Sequence, residues 1–229
     1  MKTMSSFSIP RRASACLFAV LLMACLFAGC GKKAPPENAL AEGKAAYERK
    51  DYATAASLFT PVADQGNAEA QYMLGLCREY GQGVRLDWEK AADLFRKAAD
   101  QGHAGAQYML GKCHEFGWGV KKDMKEAAGW YAKAADRGDA EAQFMFGECC
   151  YNAWGVERDY AKAVQWYVKA ADQGHKQAQR CLGFCYYYGR GTERPDRKKA
   201  KEWYARAEEQ GEAGEKTAPE NRSPGPDAK

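Results

Sequence analysis

Four stretches of this chain repeat one another every 36 residues, and a period of that length restricts the fold more than any other feature. Residues 68–103 open AEAQYMLGLCREYGQGV and close KAADQGH, and residues 104–139 open AGAQYMLGKCHEFGWGV and close KAADRGD. Residues 140–175 and 176–212 follow the same plan, the last with one extra residue near Pro195. A unit this short cannot enclose its own apolar side, so it must stack on its neighbours. Residues 38–67 read as a shorter, irregular first pair of helices.

Within each unit the spacing of residue types dictates two helices. In the first, Ala70, Leu74 and Cys77 fall at i, i+4 and i+7 and form one apolar stripe. Gly75, Gly111, Gly147 and Gly183 sit in its middle, where glycine costs about 1 kcal/mol relative to alanine. Recurrence of that cost predicts a close approach between helices. Gly81 and Gly83 then end the helix. Asp87, Asp123, Asp159 and Asp196 stand where they cap the second helix, and Asp123 with Glu126 has capping-box spacing. Ala91, Leu94, Phe95 and Ala98 supply its buried side. Gly102, Gly138, Gly174 and Gly211 stop it, and Asn67, His103, Asp139 and His175 open the next unit. Three departures carry expectations of their own. Ala153 replaces the first loop glycine and calls for a different turn, Pro195 stiffens a lengthened loop, and Pro61 interrupts its helix and should kink it.

The recurring Ala-x-Ala-Gln, Leu-Gly, Gly-x-Gly-Val, Asp and Lys-Ala-Ala elements resemble the Sel-1-like repeat family, relatives of the tetratricopeptide repeats. The resemblance spans residues 38–212. It implies an all-α, right-handed superhelical solenoid of antiparallel helix pairs, with first helices lining the concave surface, and it implies no substrate.

The N-terminus carries a different message. Lys2, Arg11 and Arg12 precede an uncharged, apolar run from Ala13 to Gly29, which suits a signal peptide over residues 1–29. Leu26-Phe27-Ala28-Gly29-Cys30 resembles a bacterial lipobox, so Cys30 is the expected lipidated residue. Residues 30–37 then form a polar, proline-containing linker. Cleavage before Cys25 and an N-terminal membrane-spanning anchor are the competing readings. Gly31 after the lipid cysteine points, by family analogy, to the outer membrane and its periplasmic side. Residues 213–229 read as a polar, disordered tail. The formal charge of +4 includes three from the leader, leaving +1, which gives no electrostatic case for nucleic acid.

Reactive constellations are sparse. Ser57 is the sole serine between Asn38 and Glu212, and Ser-x-x-Lys is absent from the chain. Cys113 and His114 are adjacent on a helix, so their side chains diverge and make no preformed dyad. Cys77, Cys113, Cys149 and Cys185 recur at the repeat period and read as core thiols. Disulfides among Cys149, Cys150, Cys181 and Cys185 remain an open alternative. Cys181 and Cys185 share a helix face, but nothing nearby completes a metal site. No cofactor motif occurs.

A partner surface is the stronger expectation. If Leu74 and Cys77 are buried, the first-helix residues that point away are Tyr72, Leu76 and Glu79. The next stripes are Tyr108, Lys112 and Glu115; then Phe144, Glu148 and Tyr151; then Arg180, Phe184 and Tyr187. Aromatic and arginine side chains on a face that should be wet suit protein or peptide capture. Trp118 and Trp154 occupy equivalent loop positions and act either as edge anchors or as loop plugs. Trp130, Trp166 and Trp203, each followed by Tyr, are assigned to packing. The expected function is a lipid-anchored scaffold or adaptor that binds a protein partner. The alternative is an envelope enzyme, or an inhibitor of one, in cell-wall metabolism.

Overall fold

A computed structural model of the chain describes residues 38–209. The expected signal peptide, Cys30, the linker and the tail lie outside the described residues. Ten helices follow one another: α1 Ala39–Glu48, α2 Tyr52–Asp64, α3 Ala68–Tyr80, α4 Trp88–Asp100, α5 Ala104–Phe116, α6 Met124–Asp136, α7 Ala140–Asn152, α8 Tyr160–Asp172, α9 Lys176–Tyr188 and α10 Arg197–Glu209. Each packs on the helices before and after it in sequence, so the fold is an all-helical stack of consecutive pairs.

What joins the two helices of a pair is a glycine seated on an aromatic ring. A methyl group on Gly75 would lie 2.6 Å from the Phe95 ring, and on Gly111 it would lie 2.5 Å from the Tyr131 ring. Gly147 meets Tyr167 and Gly183 meets Tyr204 in the same way, both at 2.6 Å. The mid-helix glycines are therefore sockets for rings, and burial of those rings offsets the propensity cost. Gly43 bears on Phe59 identically, at 2.6 Å. The N-terminal pair, irregular in sequence, is thus the same device with a shorter connection: residues 49–51 replace the longer loop 81–87.

Neighbouring pairs are joined by two further contacts. Gln71, Gln107, Gln143 and Gln179 are buried, and each Nε2 donates to a carbonyl of the preceding helix, on Ala63, Ala99, Ala135 and Ala171, at 3.1–3.2 Å. These bonds satisfy carbonyls that a helix C-terminus leaves open. Gln101 and Gln173 then donate at 2.8 Å to the side-chain oxygens of Gln71 and Gln143. Arg137 stands at the corresponding place for Gln107, with its guanidinium against Gly102, and Gln107 Oε1 has no partner among the described residues. The second contact uses the second loop glycine. Gly83 has φ +68° and presses on the Tyr52 backbone, where a methyl group would lie 2.1 Å from the carbonyl oxygen. Gly119, Gly155 and Gly191 lie equally close to Trp88, Met124 and Tyr160, so each loop is pinned to the preceding unit.

The expected caps are present. Asp51, Asp87, Asp123, Asp159 and Asp196 each accept backbone N–H groups at the start of a second helix. Asp123 departs from a full capping box, because its own N–H donates to the His114 carbonyl rather than to Glu126. His103 and His175 cap through Nδ1, at 3.1 Å from Ala106 N and Ala178 N.

Two expectations fail. Ala153 does not take a different turn: it adopts the same left-handed conformation as its glycine counterparts, with φ 61° and ψ 36°. Its N–H is held to the Cys149 carbonyl, and the rest of the loop fixes the backbone there, so the residue bears the strain. Pro61 does not interrupt α2, which runs unbroken to Asp64. Only the carbonyl of Ser57 loses its helical donor, and Ser57 is exposed to water.

Val164 and Ala171 of α8 are buried, but their equivalents on α10 are the exposed charges Lys201 and Glu208, so the outer side of α10 is charged where that of α8 is covered.

Two glycines of α6 and its partner helix separate socket from propensity. Gly111→Ala is expected to destabilise the fold by about 2 kcal/mol or more through the ring clash. Gly129→Ala, with nothing within 4 Å, is expected to stabilise it by about 1 kcal/mol. Urea unfolding of both variants checks the contrast.

Candidate partner-binding surface

The first-helix stripes are less wet than the helical period implies. Tyr72, Tyr108 and Phe144 are half-buried and pack on the socketed rings, with centroid separations of 6.1 Å to Phe95, 5.8 Å to Tyr131 and 6.0 Å to Tyr167. Tyr72 and Phe144 also stack at 4.6 Å on His103 and His175 of the next unit. Lys112, Tyr151, Arg180 and Phe184 are half-buried, while Tyr187 is 42% exposed. Arg180 holds the place of those ring residues in the last unit, after which no further helix pair follows among the described residues. Tyr151 touches Tyr160 and Tyr167, and its hydroxyl accepts from Arg190 Nη1 at 2.7 Å. A small cavity of about 20 Å³ lies among Tyr151, Tyr167, Cys181, Phe184 and Cys185.

The stripe acids are the clearest correction, because they turn inward. Tyr131 Oη donates to Glu115, and Tyr167 Oη donates to Glu148 at 2.7 Å. Glu79 is only 7% exposed, and Phe95 lacks the hydroxyl that would meet it. Its Oε2 is left without a partner, and burial pushes its carboxyl above the usual range against the opposing pull of Lys112. Burial raises the tyrosines Tyr131 and Tyr167 as well, and their carboxylate acceptors add to it.

Aromatic and cationic groups meet along the loop edge. Trp118 stacks on Phe116 at 4.8 Å and on Trp88 of the preceding unit at 6.3 Å. It is partly a plug between units. Trp154, in the same slot, remains 40% exposed. Lys112 Nζ lies 5.8 Å from the Tyr108 ring and 5.3 Å from the Trp118 ring. Arg190 fills the slot in the last unit and lies 5.5–6.0 Å from the rings of Tyr151, Tyr160 and Phe184. Arg190, Trp88 and Tyr160 escape a reading confined to one helix stripe. Their signal was the loop register, in which Arg190 aligns with Trp118 and Trp154.

The assigned tryptophans do pack, and each carries a cation on its outer side. Trp130 lies under Lys133 at 3.6 Å, Trp166 under Lys169 at 3.7 Å and Trp203 under Arg206 at 4.6 Å. The periodic cysteines are core residues: Cys77, Cys113, Cys149 and Cys185 are all buried. Burial pushes Cys77 up to about 11 and Cys113 and Cys149 up to about 12. Such thiols carry almost no thiolate near neutral pH, the reverse of what a nucleophile needs. Cys150 is also a buried free thiol, and Cys181 is half-buried, with Sγ 3.7 Å from Glu148. No cluster of three or more metal-ligating side chains occurs among the described residues. Likewise, no described helix is long and apolar enough to cross a membrane.

Comparison with known proteins agrees with this architecture. The family model described as Sel1 repeat matches residues 68–103, 104–139, 140–175 and 176–212. A Sel1 repeat protein from Oxalobacter formigenes is 33% identical, with a TM-score of 0.73 over 76% of this chain and 69% of that one. A protective antigen of uropathogenic Escherichia coli strains, displaying an SLR fold, is 31% identical with a TM-score of 0.71. That match covers 76% of this chain and 38% of the antigen. Among curated proteins there is no significant match.

The orphaned carboxyl gives a test of the site's internal logic. Phe95→Tyr places a hydroxyl beside Glu79 as Tyr131 does beside Glu115, and is expected to stabilise the fold by about 1 kcal/mol. Thermal unfolding in a Glu79→Gln background should show a smaller gain. An equal gain in both backgrounds contradicts the pairing.

Proposed function

This chain belongs to the Sel1 repeat family, and from that premise we propose that it is a lipid-tethered scaffold holding a partner protein on its first-helix face at a bacterial envelope membrane. Sel1 repeats are scaffolds that generally bind proteins, and the chain has four of them. The observation that carries the reading is the juxtaposition of half-exposed rings and cations along one edge, from Lys112 and Trp118 through Trp154 to Arg190, Tyr187 and Phe184. Aromatic side chains and arginine dominate protein interfaces because they bury large areas and lose little entropy. The tether rests on sequence alone, on the apolar run that ends at Cys30.

The raised thiols and inward-turned carboxylates favour this reading over an enzyme. A carboxylate committed to a tyrosine hydroxyl, and a thiol without thiolate, serve packing before chemistry.

Two measurements test the proposal. Tyr187→Ala combined with Trp154→Ala removes exposed rings, and is expected to weaken partner retention from crosslinked envelopes at least tenfold while leaving the melting temperature within about 2 °C. Unchanged retention removes the surface from consideration. Metabolic labelling with a clickable fatty acid should mark the wild-type chain and leave Cys30→Ser unmarked. Label retained by Cys30→Ser contradicts the assigned anchor.

A further inference from the structure

The first-helix face has an asymmetry of charge that its formal composition hides. Of its acids, Glu79, Glu115 and Glu148 are buried or bonded inward to a tyrosine hydroxyl, while Glu69 and Glu141, on first turns, face Lys44 with His103 and His175, respectively. Lys112, Arg180 and Arg190 are its cations, and Lys112 pulls on the buried Glu79 carboxyl, whose Oε2 still has no hydrogen-bond partner among the described residues. Lys112 rests on the Tyr108 and Trp118 rings, and Arg190 rests on Tyr151, Tyr160 and Phe184. A cation over a ring keeps its charge and its remaining donors for a ligand. Around Lys112 and Arg190 the face thus presents cations seated on rings, although the described residues as a whole are nearly neutral.

We propose that this face takes an extended, acidic segment of the partner protein, one in which carboxylates alternate with apolar or aromatic side chains. The proposal rests on the docking-surface reading above and adds the partner's chemistry to it. Carboxylates of the segment meet Lys112 at one end and the cations of the last unit, Arg190 or Arg180 at either end of α9, at the other, while Trp154, 40% exposed, offers a platform for an apolar side chain. Burial of Glu79, Glu115 and Glu148 is what allows this. Facing outward, they would neutralise the cations and repel the ligand. Spacing sets the length. Contacting helices lie roughly 8–10 Å apart, and α7 touches α9 directly through Glu148 and Cys181. Two such steps separate Lys112 on α5 from Arg180 on α9, roughly 20 Å, which about six extended residues span.

The full chain, titrated into rhodamine-labelled octapeptides, tests this by fluorescence anisotropy. The probes are alternating Asp-Phe, alternating Asn-Phe and alternating Lys-Phe. The Asp-Phe probe is expected to bind saturably, at least tenfold tighter than Asn-Phe, and to weaken at least tenfold between 50 and 500 mM salt. Lys112→Gln with Arg190→Gln keeps hydrogen-bond donors at both places, the Tyr151 contact included, and is expected to lose at least tenfold for Asp-Phe alone. Equal binding of Asn-Phe, or an unchanged double variant, overturns the acidic preference and leaves the docking surface standing. Saturable binding by none of the probes overturns the acidic segment. If Tyr187→Ala with Trp154→Ala also retains the partner from envelopes, the surface falls with it. Concentration-dependent dimerisation that displaces the Asp-Phe probe assigns the face to a second copy of the chain and overturns the peptide.

Discussion

The seating of a helical glycine on an aromatic ring is the contact from which the rest of this fold follows. It occurs five times, at Gly43, Gly75, Gly111, Gly147 and Gly183, and each time the ring comes from the next helix. Loss of a side chain at that one place lets the two backbones close on a large apolar surface, so an unfavourable local residue becomes the condition for burial. The ring orders more than the pair. Tyr72, Tyr108 and Phe144 pack on its edge, and in two units its hydroxyl draws a first-helix carboxylate inward. Core geometry therefore decides which charges the surface presents.

Between pairs the cement is polar. One glutamine per unit reaches back to a carbonyl that the preceding helix leaves open, and one loop glycine lies against the preceding backbone. Both contacts require the neighbour, which is why a single unit is not a folding unit.

Much of this was legible in the residues. Period, helix boundaries, aspartate caps, the mid-helix glycines and the buried cysteines all followed from spacing, because each is set by contacts that repeat. What escaped was set by exceptions to the repeat. Helical angles alone turned Glu79 and Glu148 outward, since they carry no information about a hydroxyl waiting on the next helix. Ala153 was expected to change its turn, although the surrounding loop imposes the left-handed conformation. The kinship of the first pair with the others was masked by its short loop, yet Gly43 and Phe59 preserve the essential contact. The glutamine of Ala-x-Ala-Gln stood in plain view, but its acceptor became apparent only once the preceding helix was in place.

The account's central claim is that these sockets lock all the pairs into one continuous core, whose thiols are inaccessible until the stack opens as a whole. Residue-resolved alkylation across a urea series, read by mass spectrometry, addresses it directly. The account predicts that Cys77, Cys113, Cys149 and Cys185 stay unmodified in native buffer and become reactive together, in a single transition that coincides with loss of helical signal, while half-buried Cys181 reacts earlier. Ready modification of those four thiols in the folded protein, or their exposure one unit at a time, contradicts it.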